Sequence, residues 1–239
     1  MSAESAMEIG ASTESGEIAL ADASLVADPA GVIYWPEEGL LAVADLHLEK
    51  GSSFARYGFF LPPYDSTATL ARLGDMIRRY APRVVIALGD SFHDGDGPAR
   101  LSDTDRCTLH ALQQGRDWIW IAGNHDPDPA VNIGGTFCAT MAVGAVTFRH
   151  EPTASGIDYE IAGHLHPVAR VPTRARTISR RCFATDARRV VMPAFGAYTG
   201  GLNVRHQAFA SVFGTLAFVA HMLGETRLYS VPAAYCLPD

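Results

Sequence analysis

The 239-residue sequence has no CxxC pair, no internal repeat, no excess of basic residues and no long unbroken apolar run. Each absence removes a class of protein. The four cysteines, Cys107, Cys138, Cys182 and Cys236, stand far apart. That supports neither a thiolate zinc site nor a disulfide framework, and reduced thiols in a cytosolic enzyme fit better. The net charge of −7 argues against a general nucleic-acid coat protein, while leaving room for a local basic groove. The most apolar late stretch, Ala208 to Met222, is interrupted by Ser211, Gly214, Thr215 and His221. It is too short and broken to span a membrane and reads as core strands. The opening sixteen residues carry neither a basic n-region nor an apolar h-region, so they do not read as a secretory signal. Small, polar and acidic, residues 1–16 read as a disordered tail, and residues 17–239 as one domain of a soluble, cytoplasmic protein.

What is present is an ordinary globular composition, 48% apolar and 19% charged, enough for a sizeable core. Short apolar runs from Glu17 to Pro36 predict a hairpin or meander. Leu40 to Ala44 reads as a buried strand. The segment after Pro63 places Leu70, Leu73, Met76 and Ile77 at helical spacing, with Asp65 or Ser66 to cap the start and Pro82 to stop it. Val84 to Leu88 is a second buried strand, Ser102 to Gln114 a second helix, and Trp118 to Ala122 a third strand. Further strands are expected near Phe137 to Val143, Ala145 to Arg149 and Tyr159 to Ala162. From Cys182 to Ala194 and from Arg205 to Val231 the chain reads as more strands with few helices. The order β-α-β-α-β, then mostly β, predicts an α/β fold: two packed sheets flanked by helices, a two-sheet α/β sandwich.

Polar clusters follow the strands. Asp45-x-His47, Gly89-Asp90, Gly123-Asn124-His125-Asp126, His150 and Gly163-His164-x-His166 each sit where an apolar run ends. In open α/β sheets ligands bind beyond the carboxyl ends of strands. Taken singly, Asp45-x-His47 and Gly89-Asp90 are explained by ordinary turns. A turn does not explain the imidazole inside Gly-Asn-His-Asp, and two histidines two apart make a chelating pair as readily as a solvated loop. Taken together, five strand ends present Asp, Asn or His, and five of the nine histidines lie in them. Carboxylate, amide oxygen and imidazole without thiolate suit Mn²⁺, Fe²⁺ or Zn²⁺. Seven donors exceed the needs of one ion and suit two, about 3.5–4 Å apart, that share a carboxylate and clamp a phosphate.

This series is similar, in order and spacing, to the pattern of the calcineurin-like metallophosphoesterases. Three further stretches, AVADLHLEKGSSFARYG, RHEP with GHLHPVARV, and VVMPAFGAYTGG, resemble the ligase-associated DNA damage response endonucleases (PdeM family). The resemblance runs from about Leu40 to Leu202. It implies a binuclear phosphodiesterase, a single-strand DNA endonuclease of DNA repair, using Mn²⁺ in preference to Fe²⁺ or Zn²⁺. It also implies functional association with a DNA ligase and a helicase. Asp45, His47 and His166 would hold one metal, Asp90 would bridge, and Asn124, His150 and His164 would complete the second. His125 would face the substrate and protonate the leaving oxygen or stabilise charge on the phosphate, and Asp126 would orient the His125 ring. His93, three residues past Asp90, is a further substrate contact or else a structural turn histidine.

Lys50 and Arg56, in the loop after the first ligand turn, are candidates to touch phosphate. Arg170 to Arg189 holds seven arginines against the single acid Asp186, either a solvated face or a track for a nucleic-acid backbone. Phe195 to Gly201 is either a wall of the cleft or a packed turn. Two rival functions stand beside the endonuclease. One is a nucleotide or small-molecule phosphodiesterase or phosphatase, which the acidic balance favours. The other is a non-catalytic scaffold of the same fold, which the complete donor set disfavours.

Overall fold

The computed structural model describes residues 16–126, 132–154, 158–214 and 216–239. Apart from Gly16, the expected tail lies outside the described residues.

Seven strands form the first sheet in sequence order: β1 (Glu17–Leu20), β2 (Ala23–Ala27), β3 (Ile33–Trp35), β4 (Leu40–Val43), β5 (Val84–Leu88), β6 (Asp117–Ile121) and β7 (Thr136–Cys138). The first four are antiparallel, the meander expected from Glu17 to Pro36, and β4 to β7 run parallel. The second sheet contains β8 (Thr140–Val143), β9 (Val146–Arg149), β10 (Tyr159–Ala162), β11 (Pro167–Pro172), β12 (Thr177–Thr185), β13 (Arg189–Val191), β14 (Leu202–Asn203), β15 (Val219–Leu223) and β16 (Leu228–Pro232). The helices are α1 (Lys50–Ala55), α2 (Asp65–Tyr80), α3 (Gly97–Arg100), α4 (Asp103–Gln113) and α5 (Gln207–Phe213).

Period-two alternation divides each buried strand between two cores. Leu40, Ala42, Ile86, Leu88 and Ile121 face inward with Phe148, Ile161, Phe183 and Val190 of the second sheet. Leu41, Val43, Val85, Ala87, Trp118 and Trp120 face outward, against Leu70, Leu73 and Ile77 of α2 and Leu109 of α4. A third cluster joins Cys182, Ala184 and Val191 to Phe209 of α5. The result is the two-sheet α/β sandwich, with a helix layer on each outer face.

Three local expectations change. The apolar stretch from Ala208 is not all strand: α5 forms because Phe209, Val212 and Phe213 fall on one helical face over the third cluster. The His206 side chain accepts from the Ala208 N–H at its start, and Gly214 ends it at φ 72°. Neither Asp65 nor Ser66 caps α2. Asp65 accepts instead from the Gly51 N–H (3.0 Å), while Ser66 accepts from the Glu49 N–H (2.9 Å) and donates to the Glu49 carboxylate (2.8 Å). The segment after His47 is consequently clipped to α2, and Lys50 opens the short helix α1 rather than lying in a loop. Ser102 does cap α4, accepting from the Asp105 N–H.

Candidate metal centre

Register brings the polar clusters together. Val43 pairs with Ala87 and Leu88 with Ile121, so the turns holding Asp45, Asp90 and Asn124 emerge side by side from β4, β5 and β6. In the second sheet Arg149 pairs with Ala162, which places His150 beside Gly163-His164. Backbone bonds join the two edges: the Phe195 N–H donates to Ala44 O (2.9 Å) and the Gly196 N–H to Asp45 O (3.1 Å). Phe195 to Gly201 is therefore a packed turn that buttresses the first ligand turn.

Two donor groups result. Asp45, His47 and His166 form one and Asp90, His150 and His164 the other, the donor atoms of each lying within 4.8 Å of one another. Asn124 joins the second, its Oδ1 2.9 Å from His150 Nε2 and 3.0 Å from His164 Nδ1. Asp90 lies between the groups, with Oδ2 3.7 Å from His47 Nε2 and Oδ1 3.4 Å from His150 Nε2. Asp45 Oδ1 is 3.1 Å from His166 Nε2. Backbone amides hold both carboxylates: the His164 N–H donates to Asp45 Oδ2 (3.0 Å) and the His125 N–H to Asp90 Oδ1 (2.9 Å). Asp45, His47, Asp90, His164 and His166 all have positive φ, between 43° and 69°, as does Glu49 at 64°.

The donor chemistry fits divalent cations. His150 Nδ1 lies 2.9 Å from the Leu88 carbonyl, so its proton sits there. In the neutral ring the Nε2 lone pair then points at Asn124 Oδ1, another acceptor, 2.9 Å away. Two acceptors in contact without a proton repel, and a cation between them reconciles the pair. Among the described residues, His47 Nε2 and His166 Nε2 are buried and make no hydrogen bond. Buried nitrogens without partners are costly unless a ligand satisfies them. Burial, then His166 and Lys50, pull the His47 pKa down to about 2, and burial with the His150 charge lowers His164. Both rings are thus neutral lone-pair donors at pH 7, as metal binding requires.

With this geometry in place, the pattern that defines calcineurin-like phosphoesterases matches residues 40–168, more than half of the sequence. The chain belongs to the calcineurin-like phosphoesterase family. Members hydrolyse phosphoester bonds with a binuclear metal centre. The structure is similar to that of a Pseudomonas putida nuclease, MPE, at TM-score 0.69 and 25% identity over 90% of this chain and 98% of that one. A more distant likeness is to Yfce, an E. coli phosphoesterase, at TM-score 0.40 and 13% identity over 81% of this chain and 98% of that one. No curated protein matches the sequence.

Around this phosphoesterase centre the flanking residues sort differently from the expectation. Asp126 does not reach the His125 ring. Its carboxylate accepts from the N–H groups of Ser91 (2.8 Å), Phe92 (3.0 Å) and Gly123 (3.2 Å). It fastens the Asp90 turn to the Asn124 turn, and burial raises its pKa to about 6. The His125 ring is held by a backbone carbonyl instead, Nδ1 donating to His93 O (2.8 Å) and leaving Nε2 4.0 Å from Asp90 Oδ2. The His93 ring stacks on His125 at 5.1 Å and packs tilted against Phe54 of α1 at 5.5 Å, so it lies within the centre.

The two expected phosphate contacts also separate. Arg56, at the end of α1, is paired with Asp96 at 2.9 Å in the open. Lys50 is half-buried, its ammonium 5.7 Å from the Phe54 ring, and its charge lowers the pKa values of His47 and His93. The arginine-rich stretch is not one stripe: it runs through the β11–β12 hairpin and ends at Arg189, the first residue of β13. Arg181 donates to the carbonyls of Ala194, Gly196 and Thr199, and Arg189 to those of Thr153 and Val212. Glu49, Asp65, Ser66 and Phe54 support the centre but were not expected to. The only signal for the first three is a pairing seventeen or fourteen residues apart, which no local pattern carries.

Proposed function

We propose that the chain is a manganese-dependent phosphodiesterase that cuts single-stranded DNA in a cytoplasmic repair setting, alongside a DNA ligase and a helicase. The observation that carries the hydrolytic part is the pair of adjacent donor groups, with Asp90 between them and with buried His47 and His166 nitrogens that make no hydrogen bond among the described residues. The nucleic-acid part is supported by the similarity of nine-tenths of the chain to a nuclease. Asp45, His47 and His166 would hold one ion and Asn124, His150 and His164 the other, with Asp90 between. Two divalent ions, when bound, neutralise phosphate charge and activate a water for in-line displacement. The amides of His125 and His164 fix the carboxylates without reorganisation. His125, its Nδ1–H held by the His93 carbonyl, presents Nε2 to the substrate; when protonated there it would donate the Nε2 proton to the leaving oxygen. Lys50 supplies a cation for a non-bridging phosphate oxygen.

Manganese-dependent nicking of a single-stranded oligonucleotide tests the proposal, with Asp90→Ala as the control. Cleavage by the wild type and its loss in the variant are expected; no cleavage, or equal cleavage by both, overturns it. A nucleotide or small-diester activity is favoured by the net charge of −7 and by the engagement of Arg181 and Arg189 on carbonyls. A higher kcat/KM on a bis-aryl phosphate than on the oligonucleotide selects that second reading.

A further inference from the structure

Six large hydrophobic side chains stand exposed among the described residues, and four of them lie within eight positions: Tyr57 (77% exposed), Phe59 (66%), Phe60 (85%) and Tyr64 (67%). They occupy the connection from α1 to α2, RYGFFLPPYD. The connection is tied down rather than loose. The Tyr57 and Phe59 N–H groups donate to Phe54 O at 3.0 and 3.1 Å, and the Asp65 carboxylate closes its far end onto the Gly51 N–H. Pro62-Pro63 removes two donors and stiffens the return. Both ends of the connection are therefore fastened to α1, at Phe54 and Gly51, a few residues past the candidate ligand His47.

From there a line of rings leads into the centre: Phe54 packs on His93, and His93 stacks on His125, the residue proposed to face the scissile group. Lys50 puts a cation beside Phe54. A phosphoester site with one cation and a rigid aromatic edge matches one ligand chemistry, flat apolar faces strung on phosphates. Every base has a π-face, and stacking on aromatic side chains tolerates any sequence. A duplex keeps its base faces inside its own stack; a single strand leaves them free.

We propose that Tyr57, Phe59, Phe60 and Tyr64 form a stacking lip that binds unpaired bases of a nucleic-acid strand next to the metal centre. The inference rests on the nucleic-acid reading above and names the residues that set its preference for single strands. Because the lip is pre-formed, little ordering entropy opposes binding.

The test compares wild type, Phe59→Ala/Phe60→Ala and Phe59→Trp/Phe60→Trp on three substrates with manganese: a single-stranded oligonucleotide, an abasic strand of equal length, and a bis-aryl phosphate. Anisotropy of the labelled strands with EDTA present gives binding apart from catalysis. The double alanine variant should bind and cleave the base-bearing strand at least about tenfold less well than wild type, mainly through KM. It should hydrolyse the bis-aryl phosphate normally, and the tryptophan variant should restore the oligonucleotide. Wild type should already be weak on the abasic strand. Unchanged oligonucleotide binding by the alanine variant, or equal binding of abasic and base-bearing strands by wild type, overturns the lip while leaving the nuclease reading intact. Wild type that hydrolyses the bis-aryl phosphate but neither binds nor cuts oligonucleotides overturns both. A change only in self-association on size-exclusion chromatography assigns the aromatics to a protein interface and overturns the lip.

Discussion

Five of the seven donor residues have left-handed backbone, a conformation costing a non-glycine residue on the order of 1–3 kcal/mol. Asp45, His47, His164 and His166 alternate with ordinary residues along two turns, so each turn projects donors in pairs from a chain leaving its strand. Such strain persists only where the surroundings over-determine it, here through backbone hydrogen bonds: the His47 N–H to Asp90 O, the Gly196 N–H to Asp45 O, the Leu202 N–H to His166 O and the His164 N–H to the Asp45 carboxylate. His125 differs from these donors because its side chain is 41% exposed and its Nε2 stays accessible. His125→Ala should reduce kcat by about 10²–10⁴-fold while metal content stays unchanged. Loss of metal together with activity would make it a ligand instead. A second residue-scale prediction concerns pH. Burial pushes the Asp94 carboxyl upward, but hydrogen bonds from Arg100 and Ser53 outweigh it and hold the pKa at about 2. A depressed carboxyl pKa contributes stability that is present above the ordinary value and lost as pH falls through about 2. In urea unfolding Asp94→Asn should be less stable than wild type at pH 7, by under about 1 kcal/mol for this partly exposed pair. The gap should shrink from pH 4 downward; a gap independent of pH contradicts the assignment.

At the scale of elements, the centre depends on how closely strand ends approach. A Cβ at Gly123 would lie 2.1 Å from Asp90 N and 2.3 Å from Asp90 Oδ1, and one at Gly163 would lie 2.6 Å from Asp45 Oδ2. Only glycine lets these turns meet. Gly123→Ala should abolish metal-dependent hydrolysis and cost about 2–4 kcal/mol, lowering Tm by roughly 5–15 °C in calorimetry. A stable, active variant would show that the turns can separate without harm. The same elements show what can be read from sequence. Strands β4, β5, β6 and β10 are legible because each is a short apolar run ended by Gly or Asp, and their parallel order puts every cluster at one edge. α5 is not, because Ala208 to Met222 is apolar enough for strand or helix, and only packing of Phe209 and Phe213 decides. α1 is hidden by the Gly-Ser-Ser that follows Lys50, and its existence depends on Asp65 and Ser66 beyond the next turn. Asp126 follows His125 directly, which suggests a partnership; the fold turns its carboxylate to three backbone amides, and backbone amides have no sequence signature. The arginines of β11 and β12 form one run in sequence and scatter in space, since alternate residues of a strand face opposite sides.

At the scale of the whole molecule, each donor group draws on both sheets. Asp45 and His47 leave the first sheet and His166 the second; Asp90 and Asn124 leave the first, His150 and His164 the second. Metal ions held by these residues would therefore cross-link the two halves of the sandwich, and each ion present at a hundred times its Kd would add about 2.7 kcal/mol to stability. The aromatic edge and the exposed half of His125 sit outside this frame, where substrate can reach them. Seven donors in two groups make one quantitative demand above all others. After dialysis against manganese, the wild-type chain should retain two ions, His166→Ala and His164→Ala one each, as counted by plasma emission. One ion or none in the wild type, or two in both variants, would contradict the two-metal centre.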